Sequence, residues 1–494
     1  MANPCQLEEV AFDGNPSTNS TISTSRFEMK KIFSCEFKHF MTAALVEYLF
    51  ILIITFSVTQ FVNPKYFYHP LPSVSQGWRL PVNGVISRYG CTILTIQLYF
   101  VINSVYYTLR KPHRTNLEFF TDNVIPKIAY AFGWIALIAF SFVPPVCSAT
   151  FSNGHYCHGS RAIHMVTATL FVVTFNVYSG LLTITYVLKN WFLRILIVVT
   201  FIFTAIRIGY KHVPSEYINL ILTFFCVLMF AYRCENKCTI HFGYAKSISF
   251  PETIVLRKGL FTCGFLGIFL VTTVFPSVLV INHLEEHINL RKLWPSIQEC
   301  KVFSPSNWIF YWAASLGSVL IFLAFSAIHL MRLHSSMSST KKQLNILMWV
   351  STLIMLNSLC FFAITPSGNV SIMCFNTFIF SNFLYVCLAG VFFHSNKWIL
   401  SFSIILKLIT FTRFLELESH MTGLIDQSLL HKYIHSLEWM NIFLSLLTLS
   451  WLLIENRNSM SHIGLFISIK THPDEENTPV DEECNSELMK NEVC

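Results

Sequence analysis

Long apolar runs, each bounded by polar or proline-containing segments, recur along the whole chain. Most reach the length of about 18 residues that a helix needs to cross the roughly 30 Å of hydrocarbon in a bilayer. We therefore expect twelve membrane-spanning helices. They cover residues 40–62, 91–109, 125–146, 163–187, 191–208, 216–232, 259–282, 308–331, 344–365, 372–393, 398–412 and 436–454.

Composition changes this picture little. Only 12% of the 494 residues are charged, against about 25% in soluble proteins, which is too few to coat several soluble domains. Soluble, collagen-like and disordered classes are excluded, and the sequence predicts an all-α polytopic membrane protein. The spans at 191–208 and 398–412 are the least regular of the twelve, because Arg194 and Lys407 interrupt them.

Lysine and arginine residues favour one side of the predicted membrane. If the N-terminus is cytosolic, the cytosolic segments hold about twice as many of these residues as the opposite segments, the bias typical of cytosolic loops. We therefore expect both termini in the cytosol. The tails are residues 1–38 and residues 459–494, and the second is acidic and predicted to be disordered from about Asn458.

The cysteines and sequons add two candidate modifications. No Cys or His pattern among the 15 cysteines has the spacing of zinc ligands, so no metal is expected. Cys147 and Cys157 share one predicted lumenal loop, where a disulfide is favoured by the oxidising compartment. Asn369-Val-Ser371 is a candidate lumenal glycosylation site.

Six spans followed by six more suggest an internal repeat. Glu216-Tyr217-Ile-Asn219 opens the sixth predicted span, and Glu438-Trp439-Met-Asn441 opens the twelfth. Because six is an even number, two such units run in the same direction through the membrane. The sequence therefore predicts two parallel six-helix repeats, at residues 39–258 and 259–458.

Polar residues that could carry function cluster at the lumenal ends of the spans, whereas the span interiors contain almost no charge. Arginine and histidine in this position can bind phosphate oxygens. For two of these residues the sequence favours a structural role: Glu216 can act as a favourable charge at a helix N-terminus, and His164 can be a packing residue. No nucleophile motif, phosphate-binding loop or nucleic-acid surface is present, and no cofactor is expected.

The first predicted lumenal loop contains Leu71-Pro-Ser-Val-Ser75, then Gly77-Trp-Arg79, and Arg88 follows where the second span begins. This arrangement resembles the post-GPI attachment to proteins factor 2 group, within the family shared by DRAM-type autophagy modulators, Sfk-type proteins and the N-terminal part of the cell-wall protein Cwh. The family also has a His before its fourth span, here His164, and a Glu-Tyr pair at its last, here Glu216-Tyr217. The resemblance covers the first repeat.

The second repeat departs from the family pattern. It keeps Glu438-Trp439 but has no clear loop motif and no counterpart of Arg88. We therefore expect it to retain the fold and leave open whether it retains activity.

The resemblance implies an endoplasmic reticulum or Golgi membrane protein that acts in GPI-anchor lipid remodelling on the lumenal side. The expected partners are membrane lipids and a GPI-anchor precursor or lyso-GPI. The motif leaves open whether the chain is itself the catalyst or acts beside a partner remodelling enzyme such as an acyltransferase. The candidates for contact with the lipid headgroup are Ser73, Arg79, Arg88, His158, His164, Arg207, Glu216 and Asn219.

Two other classes stay open. Parallel six-helix repeats also build secondary transporters of small solutes, which would need polar groups near the membrane midplane. A non-enzymatic membrane modulator of autophagy or lipid asymmetry is the third possibility.

Overall fold

The computed structural model describes a chain that is largely α-helical. The description covers residues 29–62, 74, 78, 81–109, 124–145, 161–186, 191–210, 213–233, 237–245, 254–255, 259–288, 295–301, 305–333, 337–365, 368–392, 398, 401–402, 404–406, 408–410, 412, 427–456 and 463–470. Helices of the first half are α1 (Phe37–Val62), α2 (Pro81–Leu109), α3 (Ile125–Phe142), α4 (Arg161–Tyr186), α5 (Trp191–Tyr210) and α6 (Val213–Arg233). Those of the second half are α7 (Gly259–Leu284), the short α8 (Ile297–Cys300), α9 (Ser306–Leu333), α10 (Ser339–Ile364), α11 (Asn369–Phe392) and α12 (Gln427–Glu455).

Ten of the described helices are long and apolar enough to cross a membrane. Large apolar side chains on their outer faces stay exposed, among them Phe50 (62% exposed) and Met373 (68% exposed), as expected of surfaces that contact lipid. The chain is therefore an integral, multi-pass membrane protein. Of the two remaining predicted spans, α5 contains a shorter apolar stretch, Trp191–Ile206, and the segment 398–412 is described only at scattered positions.

Some boundaries differ from those predicted. Helix α2 begins at Pro81 instead of near residue 91, with proline in the first turn, where its missing N–H is not needed. Helix α12 begins at Gln427 instead of near residue 436. Helix α3 ends at Phe142 instead of near residue 146, because two prolines follow shortly after it.

A four-stranded antiparallel sheet joins segments that are far apart in the sequence. Its order is β1-β2-β4-β3, with β1 at Met29–Glu36, β2 at Lys237–Ala245, β3 at Ile254–Val255 and β4 at Ile463–Lys470. The all-α prediction omitted this sheet. The prediction of a disordered C-terminal tail is wrong for β4, whose eight residues all pair with β2 and whose Ile-Gly-Leu-Phe-Ile-Ser-Ile-Lys sequence is rich in strand-forming residues.

The sheet marks one end of the helices, which we call the sheet end. Strand β1 leads directly into α1, β2 follows α6, and β4 follows α12. The other end, where α2, α6, α9 and α12 begin, is called the distal end. The direction in which each helix runs is thereby defined.

Buried apolar side chains form separate cores in the two halves of the chain. Residues from α1 to α6 make up two clusters, a large one and a small one between α5 and α6. Residues from α7 to α12 make up another large cluster. The division falls between residues 231 and 260.

A buried polar triad joins α4 to α6 in the first half. The Thr223 hydroxyl donates to Asn176 Oδ1 at 2.9 Å and lies 3.3 Å from Asn219 Oδ1. All three residues are at most 3% exposed. Because lipid offers such groups no partners, a buried triad of this kind fixes the two helices against each other.

A second triad joins α11 to α12 in the second half. The Ser445 hydroxyl donates to Asn382 Oδ1 at 2.9 Å and lies 3.4 Å from Asn441 Oδ1. These residues are also buried. Each triad therefore consists of two asparagines and one hydroxyl residue, with the same spacing of four residues within the last helix and with similar distances.

The first two long helices of each half meet through a similar contact. Asn83, at the start of α2, donates to the Thr55 carbonyl and the Thr59 hydroxyl of α1, both at 2.7 Å. Ser306, at the start of α9, donates to Asn282 Oδ1 of α7 at 2.8 Å.

Contacts between the halves are reciprocal. The Tyr89 ring of α2 stacks on Phe361 of α10 with centroids 4.7 Å apart. The Trp312 ring of α9 stacks on Phe142 of α3 at 4.5 Å, and its Nε1 donates to Ser141 Oγ at 3.0 Å. Each half thus presents its second long helix to the third of the other, which is the arrangement of an isologous interface.

Candidate functional site

Part of the first distal loop is described and packs onto the start of α2. The Trp78 N–H donates to the Val74 carbonyl at 3.1 Å, which closes a single turn. A side chain at Gly84 would place its Cβ only 3.1 Å from the Trp78 carbonyl oxygen. Glycine at this position therefore allows the loop to lie against the helix.

This turn covers a small cavity at the distal end of the first half. Val74 and Trp78 lie on one side, His164 of α4 and Glu216 of α6 on the others, and Tyr48 is a further neighbour. The cavity has a volume of about 30 Å³. The structure thus brings Val74 and Trp78, the two described residues of the loop motif, together with the His and the Glu on which the resemblance rests.

The polar groups of this cavity, which we call the His164–Glu216 cavity, are buried. His164 is 4% exposed and Glu216 is 7% exposed. Trp78 Nε1 is also buried and has no acceptor among the described residues. A buried donor without a partner costs about 1–3 kcal/mol.

The cavity volume limits what can enter. A water needs roughly 10–15 Å³, so about 30 Å³ admits one small polar group, such as a carbonyl, and not a whole lipid headgroup. The described residues that line it include no serine, threonine or cysteine. The arrangement of an imidazole, a carboxyl group and an indole N–H suits hydrogen bonding and proton exchange.

Asn219 does not line this cavity. Its amide nitrogen donates to the Thr204 hydroxyl and approaches the Thr200 carbonyl at 3.3 Å. Together with the triad of α4 and α6, these contacts join α5 to its neighbours.

Arg88 lies between the halves. Its Nη1 donates to the Ile364 carbonyl of α10 at 3.1 Å, its Nε to the Pro144 carbonyl after α3 at 3.4 Å, and its guanidinium lies 4.6 Å from the Tyr311 ring centroid. All three partners are protein groups. The two carbonyls lie where α10 and α3 end, and helix C-termini favour a cation.

Lys301 is a buried cation that sequence reasoning missed. It is 1% exposed, and its Nζ donates to the carbonyls of Phe362 (2.6 Å) and Thr365 (3.1 Å) and to the Ser371 hydroxyl. The Phe362 ring centroid is 4.0 Å from Nζ. Burial lowers the pKa of Lys301 to about 7.

The missed lysine follows α8, within a segment that the apolar pattern predicts to be a polar distal loop. A lysine in such a loop is normally solvated, and nothing in its neighbouring residues signals burial. Together, Lys301 and Arg88 donate to three carbonyls at the C-terminal end of α10, one cation coming from each half.

Several predicted site residues lie elsewhere or outside the described part of the chain. Asn369 opens α11 at the distal end and is exposed. Among the described residues, no group of three or more His, Cys, Asp or Glu could hold a metal ion. Arg207 belongs to α5, but its side chain lies outside the described residues, as do Ser73, Arg79, Cys147, Cys157 and His158 altogether.

Comparison with known proteins gives no match: no protein-family profile, no curated protein and no solved structure is significantly similar to the chain.

Proposed function

We propose that the chain crosses the membrane twelve times. Helix α4 runs towards the sheet end and α6 starts at the distal end, so α5 has to cross between them. Helix α11 likewise ends at the sheet end and α12 begins at the distal end. The segment between them must therefore cross once more, which favours a span at 398–412.

This topology predicts opposite sides for two short segments. With the sheet end in the cytosol, a glycosylation acceptor inserted between residues 413 and 426 is expected to be modified, and one inserted between residues 393 and 397 is not. Gel mobility with and without a glycosidase measures both. Identical states for the two insertions would contradict a span at 398–412.

We further propose that the two halves are parallel repeats of one six-helix unit. The support is the pair of matching triads, the matching contact between the first two long helices of each half, and the reciprocal stacking between halves. Each match involves side chains at corresponding places in the helix order, which is a stronger relation than the short motif similarity alone.

For function, we propose a role in GPI-anchor lipid remodelling in the endoplasmic reticulum or Golgi, with the distal end facing the lumen. The observation that carries the proposal is the His164–Glu216 cavity. Three separate parts of the sequence, on which the resemblance rests, meet there around one buried space. In this proposal a carbonyl or phosphate oxygen of a lipid bound at the distal end enters the cavity beside His164 and Glu216, while the rest of the headgroup remains outside the cavity.

The test is rescue of a deletion strain. We expect His164→Gln and Glu216→Gln to fail to restore the normal lipid composition of GPI anchors, measured by mass spectrometry, with protein levels close to wild type. Loss of one hydrogen bond to a charged or polar lipid group corresponds to about tenfold weaker binding.

The second half offers a matched control. Glu438 takes the place of Glu216 at the start of the last helix, is 4% exposed and pairs with His435 at 3.3 Å. Glu438→Gln is expected to rescue, because the loop motif is missing there. Normal anchor lipids in the deletion strain itself, or in both first-half variants, would rule out the proposed role.

A further inference from the structure

A glutamate lies deep in the first membrane-spanning helix. Glu47 belongs to the apolar span Phe37–Phe61 of α1. At 1.5 Å per residue, it is about 15 Å from one end of that span and about 21 Å from the other, so it lies near the middle of the roughly 30 Å of hydrocarbon. It is an exception to the expectation that the span interiors contain almost no charge. An ionisable side chain at this depth is a candidate functional site.

The surroundings of the Glu47 carboxyl group contain no cation. Among the described residues its hydrogen-bond partner is Gln97 of α2, whose Nε2 donates to Oε2 at 2.5 Å, and no described lysine, arginine or histidine forms an ion pair with it. Tyr89 and Cys91 of α2 are within electrostatic reach, and Tyr232 of α6 bonds to α1 nearer the sheet end. None of these side chains supplies a positive charge.

A carboxylate with a single neutral donor is costly in hydrocarbon. The loss of solvation of an unpaired charge is much larger than the gain from one hydrogen bond, and a carboxyl group in such a place becomes neutral by taking up a proton. The protonated group keeps an acceptor oxygen for the Gln97 amide nitrogen and gains an O–H donor.

The Gln97 amide oxygen needs such a donor. Oε1 is buried and has no donor among the described residues, and a carboxylate at Glu47 cannot act as one, because it only accepts hydrogen bonds. Since Oε1 has almost no accessible surface, its donor has to be a neighbouring protein group. A carboxylic acid and a primary amide pair through two parallel hydrogen bonds, from N–H to the acid carbonyl and from O–H to the amide oxygen. Protonated Glu47 therefore satisfies both ends of the amide.

We propose that Glu47 and Gln97 form a proton-binding site within the membrane that is occupied at neutral pH. The bound proton lies between the Glu47 carboxyl group and Gln97 Oε1, and it joins α1 to α2 through a second hydrogen bond. A metal ion would need several more oxygen ligands than this pair offers. The site shares no residue with the His164–Glu216 cavity, so it does not depend on the proposed role in GPI-anchor remodelling.

The site borders the lipid-exposed face of α1. Val46 and Phe50, which flank Glu47 on the helix, are 57% and 62% exposed, and Glu47 itself is partly exposed. A small apolar reagent dissolved in the bilayer can therefore reach the carboxyl group from the hydrocarbon.

The first test uses dicyclohexylcarbodiimide on the full-length protein in phosphatidylcholine vesicles at pH 7. A protonated carboxyl group adds to this reagent: its proton moves to a carbodiimide nitrogen, its oxygen bonds to the central carbon, and the acyl group then shifts to nitrogen to give a stable N-acylurea. We expect mass spectrometry to find this adduct on Glu47. Glu285, which is exposed just after α7, should stay unmodified in the same sample and is the internal control.

The second test detects the proton by infrared spectroscopy. In an alkyl maltoside detergent, which has no carbonyl group, the wild-type spectrum minus that of Glu47→Gln should contain the C=O band of a carboxylic acid at pH 7. Glu47→Gln is expected to fold as wild type, because two primary amides also pair through two hydrogen bonds. Gln97→Leu should keep the acid band but shift it to higher frequency, because the carboxyl group loses its hydrogen-bond partner.

Thermal unfolding of each variant checks that it is folded, and if Glu47→Gln does not fold, the difference between wild type and Gln97→Leu replaces it. A carboxylate band in place of the acid band at pH 7 would overturn the proposal. An acid band that stays at the same frequency in Gln97→Leu would overturn the pairing with Gln97. The infrared result decides if the carbodiimide leaves Glu47 unmodified.

Discussion

Replacement of Lys301 by methionine is expected to lower the free energy of unfolding at pH 9 by about 2–4 kcal/mol. The methionine fills similar space but leaves the Phe362 and Thr365 carbonyls without their donor. A buried carbonyl that loses its partner costs about 1–3 kcal/mol. At pH 9 the buried amine is neutral and still donates to these carbonyls, so methionine removes these hydrogen bonds without relieving the cost of a buried charge.

The wild-type protein should also show a pH dependence that the variant lacks. Burial lowers the pKa of Lys301 to about 7, against an ordinary value of 10.5. Above pH 7 the folded state releases this proton while the unfolded chain keeps it until about pH 10.5. Stability from this group therefore rises as pH increases from about 7 to 10.5, and the cost of burying the charge is greatest below pH 7.

Thermal unfolding in detergent at pH 6 and pH 9 measures both effects. Lys341→Met is the matched control, because Lys341 lies near the start of α10 and is exposed; its stability should stay within about 0.5 kcal/mol of wild type. A Lys301→Met variant as stable as wild type at pH 9 would mean that the α10 carbonyls do not need this donor.

Helix positions were largely predictable from the sequence because the bilayer imposes a length and a composition. The start of α2 was missed for a physical reason. Asn83, Ser87 and Arg88 lower the hydropathy of its first two turns, so the pattern assigns them to a loop. In the structure Asn83 and Arg88 bond to other helices and Ser87 to the Gly84 carbonyl.

The two buried cations show why the rest was not predictable. Lys301 contacts carbonyls 61 and 64 residues away, and Arg88 contacts one 276 residues away. Carbonyl partners leave no trace in the side-chain sequence, unlike an acid that could be matched to a base. The sequence could single out His164 and Glu216, by contrast, because the family motif that the first half resembles consists of side chains.

Arg88→Met is expected to lower the free energy of unfolding by about 2–4 kcal/mol, because it weakens the contact between the two halves of the chain. The substitution removes two hydrogen bonds from a cation, each worth about 1.5–3 kcal/mol, and the contact with the Tyr311 ring. The variant no longer buries a guanidinium, and this relief of the desolvation cost offsets part of the loss. Arg194→Met, at an exposed position of α5, is the control for removing an arginine from the membrane region. Thermal unfolding compares the two.

A double-mutant cycle tests the mechanism. Combining Arg88→Met with Tyr311→Leu should cost less than the sum of the single changes by about 0.5–2 kcal/mol, the strength of a cation–π contact. Additive effects would mean that the two residues act independently.

The same variant separates two roles for Arg88. If this residue bound a lipid headgroup, as its sequence position suggests, Arg88→Met would be as stable as wild type and defective only in anchor remodelling. If Arg88 joins the halves, Arg88→Met lowers the stability of the protein, and any loss of anchor remodelling is a consequence of that. Such a loss should be reversed at lower temperature or by a stabilising substitution elsewhere. The described contacts favour the second outcome, because the guanidinium donates to the ends of two helices, one from each half. An arginine in that position connects the two halves of the chain directly.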